Sequence, residues 1–203
     1  MLYIIEMWID KKSLFTGYSS ARKVEKGENN LVKIEGLKGF NIKIASNNDT
    51  GKIIKMLKRI ALWMKDNEIN QWSFLLDGGD DEEIEQAISN QETYIVLKDN
   101  EIIATFTLLS KQSEWDRHIW GEDNTSKTVY LHRLAIIPTY MKKGLGRSIL
   151  VWIQNNVRDR DYLRLDCVAD NIKLNNFYKN NEFELIDLRD GHSKYQKFIR
   201  SNT

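Results

Sequence analysis

Two glycines and three basic residues lie close together in the last third of the chain, at Lys142, Lys143, Gly144, Gly146 and Arg147. They stand between an apolar run that predicts a strand and a segment whose apolar spacing predicts a helix. A strand, a glycine-containing loop and a helix start together present free backbone N–H groups and the positive end of a helix dipole. These residues therefore predict a cradle for a phosphate or pyrophosphate group, which the backbone can approach closely at the glycines.

The same glycines also fit ordinary turn chemistry at a helix start. Two common phosphate motifs are excluded by their spacing. The pattern GxxxxGK[ST] of the P-loop does not occur, and the dinucleotide pattern GxGxxG fails because Ile149 stands three residues after Gly146. From these residues alone, an anion cradle and a plain turn both remain open.

Further side chains that could touch a substrate lie in two upstream stretches. Residues 110–127 form a long polar connection that carries Trp115, Asp116 and Trp120, and connections of this length are often functional. The two tryptophans predict either a wall of a substrate pocket or packing onto the N-terminal residues. Residues 77–85 are crowded with acids at a helix start, which indicates either favourable charge–dipole placement or an acidic lip that attracts a cationic amine.

Periodicity and turn signals predict the elements that must position these residues. Strands are predicted at residues 40–45, 93–97, 102–109, 129–137, 162–168, 183–188 and 195–199, with a hairpin turn at Asp99–Asn100. Helices are predicted from the cap-type residues 47–49 to about residue 66, from the acidic stretch, and over residues 145–157 and 171–180. Strands at residues 2–9 and 31–34, joined by a polar loop at residues 17–30, form an N-terminal extension that could pack on the sheet, cover the site or contact a second copy.

Composition limits the class of protein. The chain has 203 residues, of which 41% are hydrophobic, enough for one domain with a sizeable core. A formal net charge of +1 gives no reason to expect nucleic acid or a membrane surface as a partner. No stretch approaches the roughly 18 apolar residues of a membrane span, and residues 1–9 lack the features of a signal peptide. The single cysteine, Cys167, fits a reducing cytoplasm, and its apolar strand predicts a buried, inert thiol.

Two stretches of the sequence resemble motifs of the GCN5-related N-acetyltransferase (GNAT) family. The first family pattern is roughly V-x-P-x-x-[QR]-x-x-G-x-[GA], and residues 136–146 read IIPTYMKKGLG. The second pattern is N-x-x-A-x-x-x-Y-x-x-x-G-F, and residues 171–183 read NIKLNNFYKNNEF. Both stretches occur in the family's order and at its separation. The resemblance covers about residues 40–199.

Four positions depart from these patterns. Met141 replaces Arg or Gln, Lys142 replaces a common Gly, Leu174 replaces a common Ala, and Glu182 replaces the Gly before the final Phe. The family uses mainly backbone N–H groups in the first motif, so the exchange at Met141 is expected to be tolerated. None of the four removes a group that the chemistry needs, although Glu182 makes the turn after the last helix less typical.

The resemblance implies an α/β (α+β) fold, the acyl-CoA N-acyltransferase fold. Its central sheet is mixed, mostly antiparallel and flanked by helices. The sheet is expected to splay between core strands 4 and 5, and the cofactor enters that gap. One domain is expected over residues 1–203, with the extension at residues 1–39 and the acetyltransferase core at residues 40–199.

The implied activity is acetyl transfer from acetyl-CoA (acetyl-coenzyme A) to the primary amine of a small molecule or peptide, by direct attack in a ternary complex. No metal is expected. The family leaves the oligomeric state open between a monomer and a homodimer, and the cytoplasmic location rests on the single cysteine. The expected cofactor-binding residues are Leu134, Ala135, Ile136, Met141, Lys142, Lys143, Gly144, Leu145, Gly146, Arg147, Asn171 and Tyr178. Asn171 could instead order the strand-to-helix turn.

The alternative function is a non-catalytic module that binds acyl-coenzyme A as a sensed ligand.

Two residues are the expected catalytic groups. Tyr178 matches the family's motif tyrosine, which donates toward the leaving thiolate, and the alternative is a core tyrosine. His132 matches a histidine that arylalkylamine-type members use to remove a proton through water, and the unperturbed pKa of imidazole, about 6.5, suits that task. Strand alternation predicts that His132 shares a face with Leu134 and Ile136. A structural histidine is the alternative, with Tyr130, Glu114 and Asp116 as other candidate bases, while Trp115, Asp116 and Trp120 are the candidate substrate contacts.

Overall fold

A computed structural model of the chain describes residues 32–33, 39–69 and 71–199. The strands of this part are β1 (Val32–Lys33), β2 (Phe40–Ile44), β3 (Thr93–Lys98), β4 (Glu101–Leu109), β5 (Thr128–Ile136), β6 (Tyr162–Val168), β7 (Glu184–Arg189) and β8 (His192–Phe198). Its α-helices are α1 (Thr50–Asp66), α2 (Asp81–Ser89), α3 (Glu114–Trp120), α4 (Leu145–Asn156) and α5 (Ile172–Asn180). Short 3-10 helices occupy Asn47–Asp49, Ser73–Asp77 and Pro138–Tyr140.

These strands form one sheet in the order β1-β2-β3-β4-β5-β6-β8-β7. Neighbouring strands run antiparallel, with the exception of β5 and β6, which are parallel. Their pairing covers only residues 128–130 of β5 and 162–164 of β6, and the two strands separate beyond that point. Counted from β2, these are core strands 4 and 5. The predicted mixed sheet with a splay at this position is confirmed.

Helices cover both faces of the sheet, and each face carries its own apolar cluster. On one face, α4 and α5 pack onto the sheet through residues such as Leu145, Ile149 and Tyr178. On the other face, α1 and α2 pack onto it, and Ile53 and Leu57 are among the buried residues of α1. The spacing of these residues places them on one side of the helix, as the sequence periodicity predicted.

A β-bulge interrupts β5 at Arg133, whose φ of 50° lies in the left-handed region. Ala135 and His132 are three residues apart along β5, but their partners on β4 are only two residues apart. Because residues two apart along a regular strand share a face, His132 lies on the face of Ala135. The prediction that His132 shares a face with Leu134 and Ile136 is therefore wrong, since it assumed a strand without a bulge.

Two further predictions need correction, and one is confirmed. The polar connection at residues 110–127 contains α3, a short helix that its composition did not indicate. In the final hairpin, β8 begins at His192, directly after the turn at Asp190–Gly191, and not at Tyr195. Asp99 and Asn100 have φ values of 50° and 66°, which is the left-handed pair that a tight type I′ hairpin turn requires.

The N-terminal predictions fall mostly outside the described residues. The strand at residues 2–9 and the loop at residues 17–30 lie there entirely. Of the strand predicted at residues 31–34, the described pair Val32–Lys33 aligns antiparallel with β2. Among the helices of the described part, none has both the length and the apolar character needed to cross a bilayer.

Candidate functional site

The divergence of β5 from β6 opens two adjoining cavities. The large cavity has a volume of about 440 Å³ and is bordered by residues of α1, β5 and β6. The narrow cavity has a volume of about 70 Å³ and lies between β5 and the starts of α4 and α5. Met64, Leu134, Leu174 and Tyr178 line both, so the two cavities meet at these side chains.

The narrow cavity collects most of the residues that the first motif singled out. Gly144 is the N-cap of α4 and has a φ of 74°. Ser148 N–H donates to the Gly144 carbonyl at 3.0 Å, so the N–H groups of residues 145–147 have no acceptor within the helix. The predicted residues that line this cavity are Leu134, Ala135, Ile136, Met141, Lys142, Leu145, Gly146 and Tyr178.

The remaining predicted residues of this group lie around or beyond the narrow cavity. Lys143 Nζ lies 5.0 Å from the ring centre of Tyr140, and Arg147 is exposed on the first turn of α4. Asn171 borders the large cavity instead. As the N-cap of α5, its Oδ1 accepts from Leu174 N–H at 3.1 Å, and its Nδ2 donates to Gln71 Oε1 at 3.2 Å. These contacts order the strand-to-helix turn.

Glycine is required near the start of α4 for two different reasons. A Cβ atom at Gly146 would lie 3.1 Å from Cζ of Phe177, so this glycine lets α4 approach α5 closely. Gly144 has open space around it, and its need for glycine comes from its positive φ. Lys142 and Glu182 also have positive φ, 60° and 66°. This conformation is a physical reason for the glycine that the family patterns carry at both positions.

Tyr178 on α5 stands where the two cavities meet, and its side chain is only 6% exposed. Its ring packs at centroid distances of 5.3 to 5.7 Å against Phe177, Phe183 and Tyr195. Burial, together with the nearby Cys167 and Asp166, raises the pKa of its hydroxyl far above the ordinary value. The hydroxyl therefore keeps its proton. Within the described part of the chain it makes no hydrogen bond, so it can donate to a bound molecule.

His132 contacts a buried carboxylate that α3 supplies. Its Nε2 lies 3.1 Å from the carboxylate of Asp116, whose side chain is 2% exposed. Ser113, the N-cap of α3, holds that carboxylate by donating from its backbone N and its Oγ at 2.9 and 2.8 Å. His132 also borders the large cavity. The structure thus brings together His132 and Asp116, which are two separate candidate residues in the sequence.

A second carboxylate, Asp166 on β6, also borders the large cavity. Trp115 Nε1 donates to it at 3.1 Å, and His192 Nε2 lies 3.9 Å away. Burial raises the pKa of Asp166, although the Trp115 hydrogen bond and the nearby histidines His132 and His192 act in the opposite direction. A cation bound beside this carboxylate would relieve the cost of keeping it ionised.

Three of the six acids in residues 77–85 pair with cations of the described residues. Arg133, which lies at the bulge and borders the large cavity, places its guanidinium 3.3 Å from Glu83 and 3.8 Å from Asp80. Lys58 Nζ lies 2.6 Å from Asp81. The predicted acidic lip is therefore partly neutralised. Asp80 and Glu83 still border the large cavity, where a single arginine serves two carboxylates.

Aromatic side chains form much of the wall of the large cavity, namely Trp63, Trp72, Phe74 and Trp115. Phe74 is 47% exposed and Trp115 is 41% exposed. Trp72 has a φ of 63°, which is an uncommon conformation for a bulky residue. Exposed and strained aromatic residues around one cavity indicate a surface that binds the apolar part of a ligand.

Two residues singled out from the sequence have little contact with open space. Trp120 is not among the residues that border the large cavity, and its ring lies 4.9 Å from the Arg164 guanidinium and 5.2 Å from Lys194 Nζ. Cys167 touches the cavity wall but is only 3% exposed. Burial and the nearby Asp166 raise the pKa of its thiol to about 12, so the predicted buried and inert cysteine is confirmed.

Sequence reasoning did not identify most of the residues that build the large cavity. Trp63, Trp72, Arg133, Asp166 and His192 come from separate elements, and no local motif connects them. One signal was readable, because a serine followed three residues later by an acid, as in Ser113 and Asp116, is a known helix-start pattern. That pattern would have predicted α3 and the position of its carboxylate.

Comparison with known proteins shows what this arrangement is similar to. The sequence model of the protein family described as Acetyltransferase (GNAT) family matches residues 59–183 of the chain. A protein of Bacillus subtilis (strain 168) named Uncharacterized N-acetyltransferase YesJ is 36% identical over 164 residues. The aligned region covers 79% of this chain and 91% of that protein.

Solved structures share the fold. An acetyltransferase of the GNAT family from Listeria monocytogenes 4b F2365 superposes with a TM-score of 0.66 at 26% identity, covering 83% of this chain and 99% of that one. The PaiA N-acetyltransferase from Thermoplasma acidophilum, crystallised in complex with coenzyme A, gives a TM-score of 0.61 at 17% identity, covering 78% and 98%. This second likeness concerns the fold alone.

Proposed function

The chain belongs to the GNAT family of acetyltransferases, and we propose that it transfers the acetyl group of acetyl-coenzyme A to the primary amine of a small molecule or peptide. The observation that carries the proposal is the position of Tyr178, a buried proton donor where the narrow and large cavities meet. Two substrates held in these cavities would meet beside a group that can protonate the leaving sulfur.

The narrow cavity suits coenzyme A. The N–H groups at the start of α4, with Lys142, Lys143 and Arg147 nearby, can bind its pyrophosphate. The edge of β5 that faces away from β4 can hydrogen-bond the amides of the pantetheine arm, much as an added strand would. Leu134, Ala135 and Ile136 are the residues of this edge that line the cavity. When bound, acetyl-coenzyme A supplies the acetyl thioester.

The chemistry requires two proton transfers, and the site offers one residue for each. His132 takes the proton that the amine must lose as its nitrogen forms the new C–N bond, directly or through a water molecule. Tyr178 gives its proton to the sulfur as the C–S bond breaks. Solvent returns the proton from His132 to Tyr178, so protons balance over one turnover. A backbone N–H of β5 can stabilise the charge that develops on the carbonyl oxygen.

The large cavity suits a cationic amine with an aromatic or other apolar body. Asp166 supplies a carboxylate with a raised pKa, and the indole of Trp115 lies directly beside it. Asp80 and Glu83 share a single Arg133, which leaves negative charge at the cavity wall. Aromatic faces attract ammonium groups as well as apolar surface. We therefore expect arylalkylamines to be better acceptors than short alkylamines of the same charge.

The first experiment measures acetyl-coenzyme A binding by calorimetry and free-thiol release over a panel of amines. Tyr178→Phe should lower kcat by about 100-fold or more and leave the Kd for acetyl-coenzyme A unchanged, because only a proton donor is lost. Tyr195→Phe is the matched control. Tyr195 is also buried and its hydroxyl donates to Asn175 at 3.0 Å, but it borders neither cavity. Binding without turnover on any amine would favour the sensor alternative.

The acceptor class has its own test. Trp115→Ala should raise the KM for 2-phenylethylamine by about tenfold and change the KM for butylamine much less, because the indole contributes apolar contact and cation–π attraction. Phe198→Ala is the control, since Phe198 is an exposed aromatic residue that borders neither cavity. Equal KM changes for both amines would argue against an aromatic acceptor.

A further inference from the structure

We propose that Asp116 is a positioning residue for the reaction, whose carboxylate fixes the tautomer and orientation of His132 so that Nδ1 is the nitrogen that accepts the proton of the amine. This inference rests on the proposed function, in which His132 is the base. It concerns a residue that does not touch the reacting atoms and acts only through His132.

The carboxylate of Asp116 is held in one place by the first turn of α3. Its Oδ2 accepts from Ser113 N and Ser113 Oγ at 2.9 and 2.8 Å, while Asp116 N–H donates back to Ser113 Oγ at 3.0 Å. The side chain is 2% exposed, so water does not compete for these bonds. A buried carboxylate with this many donors stays in position when His132 changes its charge.

The geometry decides which imidazole nitrogen carries the proton. Nε2 of His132 lies 3.1 Å from both oxygens of Asp116. An ionised carboxylate can only accept a hydrogen bond, so Nε2 must be the N–H nitrogen and Nδ1 holds the lone pair. Within the described residues Nδ1 has no hydrogen-bond partner, and His132 borders the large cavity. Nδ1 is therefore the basic nitrogen available to the amine or to a bridging water.

The surrounding charges favour the imidazolium that forms during turnover. Asp116 on α3 and Asp166 on β6 are the carboxylates that act on His132. The adjacent Arg133 is turned toward Asp80 and Glu83 of the α2 region. Tyr178 and Cys167, which also border the cavity, are neutral. Removing the charge of Asp116 should therefore take away one of the two carboxylates that stabilise the imidazolium during turnover.

The test compares Asp116→Asn with Asp49→Asn, because Asp49 holds a similar helix start without contacting the site. We expect Asp116→Asn to lower kcat by about tenfold or more and to move the acidic limb of the kcat/KM profile to lower pH. Asp49→Asn should reduce stability in the same way and leave kcat and the profile unchanged. An unchanged profile in folded Asp116→Asn would overturn the inference.

The activities of wild type, His132→Ala and Asp116→Asn distinguish an error in the proposed function from an error in the role of Asp116. If wild-type protein acetylates no amine, or His132→Ala retains the full rate, the proposed function or its base is wrong and the inference falls with it. If His132→Ala is inactive and Asp116→Asn behaves like wild type, only the inference is wrong. ¹⁵N NMR of the wild-type imidazoles gives a check that needs no variant, since the chain has three histidines. His132 should carry its proton on Nε2, and a proton on Nδ1 would overturn the inference.

Discussion

Two turns with the pattern Ser-x-x-Asp begin helical segments in different parts of the molecule. In Ser46–Asp49, which precedes α1, and in Ser113–Asp116, which begins α3, the aspartate Oδ2 accepts from the serine N and Oγ at 2.8 to 3.0 Å. The carboxylates differ in their third partner. Asp49 meets Lys43 Nζ at 3.2 Å, whereas Asp116 meets His132 Nε2 at 3.1 Å.

The same local pattern therefore serves different purposes in the two turns. A lysine ammonium keeps its charge near neutral pH, so the carboxylate of Asp49 serves only to hold chain segments together. An imidazole can gain and lose a proton in that range, so the carboxylate of Asp116 can also influence chemistry. His132, the third partner of Asp116, lies 16 residues further along the chain on β5, and the turn itself contains no sign of it.

The largest expected difference between the turns comes from removing the third partner. His132→Ala should lower kcat/KM by about 10²- to 10⁴-fold, because the amine loses its base. Lys43→Ala should leave kcat/KM unchanged and alter the free energy of unfolding by no more than about 1 kcal/mol, since Lys43 forms a partly exposed ion pair. Steady-state kinetics and urea denaturation measure both. Equal losses of activity in the two variants would show that the turn at Asp116 has no special role in catalysis.

Replacing the serine of each turn by alanine should have a smaller effect, a loss of stability whose size differs between the two turns. Ser113→Ala should lower the free energy of unfolding by about 1 to 2 kcal/mol, because Ser113 Oγ both donates to Asp116 and accepts from its N–H. Ser46→Ala should cost about 0.5 to 1 kcal/mol, since Asp49 N–H bonds to the Ser46 carbonyl and keeps that contact. Urea denaturation under identical conditions gives both values. The reverse order would show that the two turns are held differently.

Acidic pH should reduce the stability that the first turn provides. Burial disfavours the ionised form of Asp49, but the Ser46 hydrogen bonds and Lys43 outweigh it, so the pKa of Asp49 lies below its ordinary value of 3.8. A lowered pKa in the folded state adds stability above 3.8, and that stability is lost as the pH falls through the folded-state pKa. Asp49→Asn should therefore be less stable than wild type near neutral pH. The difference in unfolding free energy between the two proteins should become smaller as the pH falls. A stability difference that does not change with pH would contradict the lowered pKa of Asp49.

The smallest effects concern another pair of locally equivalent positions, Lys142 and Glu182, which share a positive φ. Lys142→Gly should raise the free energy of unfolding by up to about 1 kcal/mol, because glycine adopts this conformation without strain. Glu182→Gly should also raise the denaturation midpoint. Only Lys142 lines the narrow cavity, so only Lys142→Gly should weaken coenzyme A binding in calorimetry. Equal affinity in both variants would place Lys142 outside the binding site.

The fold and the glycine-containing start of α4 beside the narrow cavity could be predicted from the sequence because their signals are local. The start of α4 and its glycines stand within one short stretch, and strands and helices followed from apolar periodicity. The hairpin turn at Asp99–Asn100 was predictable because few residues accept its φ values. Each of these features depends on residues that are neighbours in sequence.

The large cavity could not be predicted in the same way. Its wall combines Trp63, Arg133, Asp166 and His192, which only the sheet topology brings together. The bulge at Arg133 has no sequence signal, because arginine does not favour a positive φ, and this single extra residue reversed the predicted face of His132. The helix α3 was missed because it is short and polar, although Ser113 and Asp116 mark its start.

The burial of Cys167 has a practical consequence for following this enzyme. It is the sole cysteine of the chain, and its thiol, with a pKa raised to about 12 by burial and the nearby Asp166, stays protonated in the folded protein. A thiol reagent added to a reaction therefore counts released coenzyme A with little background from folded enzyme. In the absence of substrates, slow labelling of Cys167 would instead time the opening of the sheet around β6. Slower labelling after a ligand is added would then report how strongly that ligand holds the site closed.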